Sequence, residues 1–454
     1  MLRIAESVVC PPTVSEYHAM KILTLQTLQG PNCWSIYSHH LVELHLDLEE
    51  LDTVLTHEVS GFYAGLVKLL PGLAAHGCAT DYSDKFLEQV QVGVLMPEVI
   101  KHVALELQIL AGMPVEFGQT CAAAIAGVYR VAVEYQDERA GRFAVRAAVD
   151  IVQSLCDRGE YPAQDLAQDL ADLRRIRAES AYPDLGARNF AQARRSTIAI
   201  MGRNYRTTTA RLITHLFRYI GQTVRHTTSE SADVTALRPR SCQRPRSSKG
   251  ESAPDVAILE TSASDIVRSG LMVDQVTTSV ILDLPQTPLG FVNTPEDLIQ
   301  VEGVVVEATL PQGYVVLNAD EPLIVSTAQR ASARIAYFSM NTLNPVIWEH
   351  IRQGGIVAVY EDGYLSVIDG TRIIRVEQVS NVPTTLHGLT PVLIGETLAA
   401  ILVAYVQGIS VPNIRAALKT YVGSTRPLSH PLIASDGRTE PWSSNYNLLD
   451  QPCS

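Results

Sequence analysis

The chain has 454 residues, 46% of them hydrophobic, and a formal net charge of −12. That length and composition predict two or three domains with sizeable cores, and the acidic balance argues against a generic nucleic-acid surface. No apolar run approaches the roughly 20 residues of a membrane span. Met1–Ser7 carries Glu6 and no long apolar stretch, which argues against a secretory leader. The seven cysteines (Cys10, Cys33, Cys78, Cys121, Cys156, Cys242 and Cys453) are scattered, with no C-x-x-C pair. They fit a reducing cytoplasm and not a disulfide scaffold or a Cys-type zinc site.

The first 160 residues read as an α+β unit. Leu41–Leu48 alternates apolar and polar residues as a half-buried strand does, and Val128–Tyr135 is a second strand with mixed alternation. Helices are predicted at Phe62–Leu70, Pro97–Ala111 and Gly141–Leu155; the last sets Ala144, Ala147, Ala148, Ile151 and Leu155 on one face. Asp165–Arg177 reads as a helix with an acidic start and a basic end. Leu166, Leu170 and Leu173 face one way, and Arg174, Arg175 and Arg177 close the last turn, where the helix dipole favours cations.

From Ser196 the pattern changes to strands alternating with helices, as in a mostly parallel sheet. Strands are predicted at Ile198–Met201, Val256–Leu259, Ser279–Leu282, Val304–Glu307, Tyr314–Asn318 and Arg334–Phe338, with helices starting near Thr207, Thr294 and Glu321. Ile356–Val359, Leu365–Ile368 and Ile373–Arg375 read as a small antiparallel set split by turns at Glu361–Gly363 and Asp369–Gly370. Ile394–Gln407 and Val411–Val422 are helices separated by Gly408. The resulting division is a first domain over 1–177, a linker over 178–195, a central domain over 196–425 and an irregular tail over 426–454. Arg238–Lys249 is basic, rich in Pro and Ser and free of acids. It reads as a solvated loop or as an anion contact.

Ile198–Thr209, I-A-I-M-G-R-N-Y-R-T-T-T, carries the most chemistry. An apolar strand feeds Gly202 and a Thr cluster, followed by the apolar-periodic Leu212, Ile213, Leu216, Phe217 and Ile220. Such a strand–loop–helix wraps phosphates with backbone N–H groups at a helix N-terminus. It needs a lysine for the β/γ-phosphates and a Ser or Thr for Mg²⁺. Here Tyr205 stands where a glycine is expected and Arg206 where the lysine is expected. The tyrosine places a bulky side chain where the phosphates belong, and a guanidinium is a planar fork instead of a point charge. No Ser-His-Asp arrangement, G-x-S-x-G elbow or dinucleotide fingerprint occurs, and His39, His40 and His76 read as isolated residues. Aromatic content is 6%, so no base-stacking platform is indicated.

These residues resemble cyanophycin synthetase, the ligase that builds an aspartate-backbone, arginine-branched polymer. In residues 30–177 the resemblance rests on G-P-N-C-W-S at Gly30–Ser35, L-D-L-E-E-L at Leu46–Leu51, L-L-P-G-L at Leu69–Leu73, H-V-A-L-E-L-Q at His102–Gln108, A-G-M-P-V at Ala111–Val115 and D-L-A-D-L-R-R-I-R at Asp169–Arg177. In residues 196–425 it rests on Gly202, Asn204 and Thr207–Thr209, L-E-T at Leu259–Thr261, V-V-V-E-A at Val304–Ala308 and V-L-N-A-D-E-P at Val316–Pro322. The resemblance implies an α+β N-terminal domain followed by an α/β Mur-ligase-like central domain with a mostly parallel sheet and P-loop-type topology. It also implies that the family's ATP-grasp domain, expected between the two regions, is absent, and that the C-terminal Mur lobe is missing.

By this resemblance, a vestigial nucleotide site comprises Gly202, Asn204, Arg206, Thr207, Thr208 and the Mg²⁺-linked Glu260. The family string N-V-S-x-D-H-L-G becomes D-L-P-Q-T-P-L-G at Asp283–Gly290, so Thr287 and Pro288 take the Asp-His positions. Glu260 alone is a poor site for Mg²⁺, which wants several oxygens in octahedral array. Some relatives carry a zinc-peptidase-like H-x-x-E-H in the N-terminal domain; Glu98, Lys101 and His102 stand there instead. Lysine cannot act as the carboxylate base, and the spacing reads as a salt-bridged helix surface without metal. No catalytic residue is assigned. The expectation is a catalytically degenerate, cytoplasmic protein without nucleic-acid or membrane partners. It would bind cyanophycin or its precursors, through Arg174, Arg175 and Arg177 and the acidic strip Asp47, Glu49 and Glu50, or assemble with an active synthetase or with itself. The alternative is an ATP-dependent amide ligase with a rebuilt loop, using ATP and Mg²⁺.

Overall fold

The computed structural model of the chain describes residues 19–37, 40–77, 85–180, 196–228, 254–284 and 294–422. His39, Cys10, Cys78, Cys242, Cys453, most of the linker 178–195, the basic stretch Arg238–Lys249, Thr287, Pro288 and the tail 426–454 lie outside the described residues. Up to Tyr421 the chain forms one unit, built from two lobes with separate cores. Among the described residues no helix is long and apolar enough to cross a membrane.

The N-terminal lobe runs through β1 (Lys21–Gln29), β2 (His40–Asp47), α1 (Phe62–Leu69), α2 (Phe86–Val92), α3 (Met96–Leu110), β3 (Gly118–Ala122), β4 (Val128–Glu134), α4 (Glu138–Arg158) and α5 (Ala163–Glu179). Its strands form an antiparallel sheet in the order β1-β2-β4-β3. Leu44, Leu46, Val131 and Val133 from the sheet meet Ile100, Val103, Leu107, Ala144 and Ile151 from α3 and α4 in one core. The Asp137 carboxylate caps α4 by accepting from Arg139 N and Ala140 N, and Gly159 ends the helix in the left-handed region with φ 69°. Leu173 of α5 is buried, with Leu166 and Leu170 packed beside it.

The central lobe continues with β5 (Ser196–Met201), α6 (Arg206–Tyr219), β6 (Val224–Thr228), β7 (Val256–Thr261), α7 (Ala263–Ser269), β8 (Val276–Ile281), α8 (Pro295–Glu307), β9 (Thr309–Asn318), α9 (Pro322–Ser326), β10 (Arg334–Ser339), α10 (Pro345–Arg352), β11 (Ile356–Glu361), β12 (Tyr364–Asp369), β13 (Arg372–Gln378), α11 (Pro391–Val406) and α12 (Val411–Thr420). The described strands make one nine-stranded sheet in the order β13-β12-β11-β10-β9-β8-β5-β7-β6. Every neighbour pair from β6 to β11 is parallel, and β12 and β13 are antiparallel at one edge. Residues of α6, α11 and α12 cover one face; residues of α7, α8 and α10 cover the other.

The lobes are joined where backbone passes close to backbone. Leu271 N donates to Pro31 O and Met272 N to Gln29 O, each at 2.8 Å. Gly30 and Gly270 both have positive φ (76° and 73°); a Cβ on Gly270 would lie 2.5 Å from Gln29 O, and one on Gly30 2.8 Å from Val273 O. Only glycine allows that approach with that backbone, which gives the G-P-N string a structural role.

The structure corrects one expectation of the fold. Val304–Glu307 is not a strand but the last turn of α8, which begins with a capping box between Thr294 and Asp297. Val301, Val304, Val305 and Val306 are all buried there. A helix buried all round loses its 3.6-residue period, and a short valine run then looks like a strand. The antiparallel set forms as expected, and β11, parallel to β10, joins it to the main sheet. Leu398 on α11 is fully buried between the sheet and α6. Leu398→Ala is expected to lower the unfolding free energy by about 2–5 kcal/mol, and Thr294→Ala by about 1 kcal/mol, both measured by guanidinium unfolding.

Candidate functional site

In an open, mostly parallel sheet the crevice outside the carboxyl ends of the strands collects ligands. Here that crevice lies above β5 and β8, where the loop Gly202–Tyr205 leads into α6. Met201 stands opposite Ile281 in the parallel register, and Leu282 N donates to Met201 O at 3.0 Å, extending the pairing one step. That step delivers Asp283 against the loop. Asp283 Oδ1 accepts from Arg203 N at 2.6 Å, and Asn204 N lies 3.3 Å from Oδ1 and 3.1 Å from Oδ2. A Cβ at Gly202 would come within 2.7 Å of Asp283 Oδ1, so the glycine makes room for the carboxylate. Tyr205 precedes α6 in the left-handed region, φ 56° and ψ 2°, with its side chain half exposed. A non-glycine residue there carries about 1–2 kcal/mol of strain.

The loop's cation and hydroxyl turn inward. Arg206 Nη1 donates to Gly202 O at 3.1 Å and to Thr261 O at 2.8 Å, and its Nε lies 3.4 Å from Glu260 Oε2. Thr207 Oγ1 donates to the same Oε2 at 2.7 Å, and His226 Nε2 from β6 sits 2.5 Å from Glu260 Oε1. Burial pushes the Glu260 carboxyl up, but His226, Thr207 and the Arg206 guanidinium outweigh it and hold the group below its ordinary value. Asn204 and Thr208 complete the loop and first turn. A magnesium–triphosphate needs free loop N–H groups, an outward cation and a Thr hydroxyl for the metal. Asp283 takes the N–H groups of Arg203 and Asn204, two carbonyls and Glu260 take Arg206, and Glu260 takes Thr207. The residues present do not fit a nucleotide in this arrangement. Sequence reasoning picked out Glu260 but missed Asp283 and His226. The available signal was that Asp283 directly follows the strand expected at Ser279–Leu282.

Two further carboxyls feel Asp283. Glu302 of α8 and Glu396 of α11 are buried, and the Oε2 atom of each has no hydrogen-bond partner. Burial first, and the Asp283 charge second, push Glu302 up to about 8 and Glu396 up to about 9.

In the N-terminal lobe, Glu98, Lys101 and His102 lie on α3 as expected, and Glu98 pairs with Lys101. The helix-surface expectation is corrected, because Lys101 and His102 are buried. His76 is not isolated either: its Nδ1 lies 3.2 Å from His102 Nδ1 and its Nε2 2.9 Å from Glu106 Oε2. His102 stacks on Phe86 at 3.8 Å, and Thr120 Oγ1 donates to Glu98 Oε2 at 2.9 Å. Burial lowers His102 to about 4, so the pair is neutral at that ring. Burial raises Glu98, but His102 and Lys101 outweigh it and hold the carboxyl at about 2. Among the described residues no group of three or more His, Cys, Asp or Glu is placed to hold a metal ion.

The charged strips stand apart from both clusters. Arg174 Nη2 donates to Leu110 O at 3.2 Å and Arg177 Nη1 to Ala111 O at 3.5 Å, so both cover the C-terminal end of α3. Arg175 pairs with Asp172 at 2.7 Å and is exposed. Asp47 accepts from Glu49 N at 3.0 Å, Glu49 pairs with Lys21, and Glu50 is exposed.

Residues 43–157 match the family described as the cyanophycin synthase-like N-terminal domain, and residues 200–385 the Mur ligase middle domain. Cyanophycin synthetase of Crocosphaera subtropica is 24% identical over 724 aligned positions, covering 89% of this chain and 83% of the relative. The same protein of Nostoc sp. is 24% identical over 722 positions, covering 89% and 80%. Since 724 positions exceed the 454 residues of the chain, a long stretch of the relative falls opposite a gap inside the alignment. Among solved structures, a UDP-N-acetylmuramate:L-alanyl-gamma-D-glutamyl-meso-diaminopimelate ligase from Neisseria meningitides shares 15% identity at a TM-score of 0.36, covering 51% of this chain and 68% of that one. The MurF ligase of Thermotoga maritima in complex with ADP shares 15% identity at a TM-score of 0.35, covering 58% and 54%.

The buried carboxyls set a pH dependence. Unfolded, Glu302 and Glu396 ionise near 4.5; folded, they keep their protons to about 8 and about 9. Between those values the folded chain holds more protons than the unfolded one. Their contribution to stability is therefore full below about pH 4.5 and is lost as the pH rises toward 8 to 9. In urea unfolding, Glu302→Gln and Glu396→Gln should each lose less stability than the wild type across that range. A decline parallel to wild type would contradict the assignment.

Proposed function

Because this is a cyanophycin-synthetase-like chain with a Mur ligase middle domain, we propose that it is a non-catalytic member of that machinery. It binds cyanophycin or its arginine- and aspartate-bearing units, or assembles with an active synthetase as a regulatory subunit. The single observation that supports this reading is the closed loop, in which Asp283 occupies the backbone donors of Arg203 and Asn204. An amide ligase must hold ATP there to make an acyl phosphate, and the N–H groups of Arg203 and Asn204, the Arg206 guanidinium and the Thr207 hydroxyl each have an intrachain partner instead. The polymer carries both guanidinium and carboxylate groups, so a protein with separate basic and acidic strips suits it. The exposed Arg175 is the cleanest residue to change, because Arg174 and Arg177 also secure the end of α3.

The expected result is no magnesium-dependent ATP hydrolysis above blank with arginine, aspartate and cyanophycin primer, in an assay that detects a bona fide synthetase. Sedimentation with insoluble cyanophycin should bring the chain down, and Arg175→Glu should weaken that association while leaving the unfolding midpoint unchanged. ATP turnover at a synthetase-like rate would establish the ligase instead.

A further inference from the structure

We propose that Asp283 is an internal plug: its carboxylate fills an anion site that the loop still builds, and removing it lets the loop take a polyphosphate. This goes beyond the absence of turnover, because it says the backbone site is closed and not dismantled. Two consecutive backbone N–H groups, of Arg203 and Asn204, converge on one carboxylate, the first at 2.6 Å. Converging backbone donors followed by a left-handed residue form an anion-binding nest. Tyr205 holds that left-handed conformation without being a glycine, and such strain persists only where the surroundings over-determine it. The guanidinium of Arg206 lies in the same loop, partly exposed and tied to the carbonyls of Gly202 and Thr261.

The plug is also positioned by design of the sheet. The β5–β8 pairing runs through Leu282 N and Met201 O, and Asp283 follows with no slack. Gly202 leaves the space its Oδ1 occupies, since any Cβ would meet that atom at 2.7 Å. A carboxylate held in this way competes with free anions intramolecularly, at an effective concentration set by the geometry of its tether. A soluble polyphosphate then binds only as far as it displaces Asp283, and it must also enter against the negative charge that carboxylate brings.

The test is calorimetric titration of inorganic tripolyphosphate into the full chain at low salt. Asp283→Ala should bind about tenfold or more tightly than wild type, given the lost competitor, and Asp283→Asn should also bind more tightly, because its neutral amide oxygen competes for the same N–H groups more weakly than a carboxylate. Arg206→Ala in the Asp283→Asn background should remove most of the gain. If Asp283→Ala fails to fold, Asp283→Asn keeps the side chain's shape without its charge and carries the test. Folded variants that bind no tighter than wild type would overturn the plug, and so would wild-type binding equal to theirs. Binding decides the plug; ATP turnover decides the non-catalytic reading, so either can fail without the other.

Discussion

Everything at the candidate site follows from one contact, the Asp283 carboxylate on the backbone N–H groups of Arg203 and Asn204. The contact is charge-assisted and short, the kind that outweighs a neutral hydrogen bond. It satisfies donors that a phosphate loop otherwise presents outward. With the anion supplied internally, the neighbouring groups pair among themselves. Arg206 settles on Gly202 O, Thr261 O and Glu260, and Glu260 collects Thr207 and His226 as well. Burial, with the Asp283 charge second, keeps Glu302 and Glu396 protonated well above the usual carboxylate range. The Asp283 charge on the N–H groups of Arg203 and Asn204 opposes an incoming triphosphate.

The N-terminal lobe shows the same economy in another setting. α3 is buried along most of its length, so its polar side chains must find partners inside the protein. Glu106 meets His76, His76 meets His102, and Glu98 meets Lys101 and Thr120. Gly72 lets the Glu106 carboxylate lie against it, where a Cβ would come within 1.9 Å of Oε1, which gives the L-L-P-G-L string a packing reason. At the far end of the helix, Arg174 and Arg177 donate to the last carbonyls, where cations are favoured by the dipole.

Much of the fold was legible in the sequence. The alternation of Leu41–Leu48 gave β2, a helix start was read near Thr294 where α8 begins, and Gly408 separated the last two helices. The illegible parts share a cause. β1 and β3 are edge strands without clean alternation, and the valines of α8 are buried all round, so neither shows the period that marks its class. At the site, residue types were readable but partnerships were not. Glu260 and Arg206 stood out by their place in the loop motif, whereas Asp283, His226 and the His76–His102 contact are brought in by sheet register and helix packing across 34 to 80 residues of sequence, or 26 for the histidines.

The most direct measurement follows the backbone amides of Arg203 and Asn204 by NMR in the ¹⁵N-labelled full chain while MgATP is added. An intact plug predicts that both resonances stay where they are throughout the titration. Saturable shifts of those two amides at micromolar MgATP would mean that the wild-type loop accepts the nucleotide, and the account built on Asp283 would be wrong.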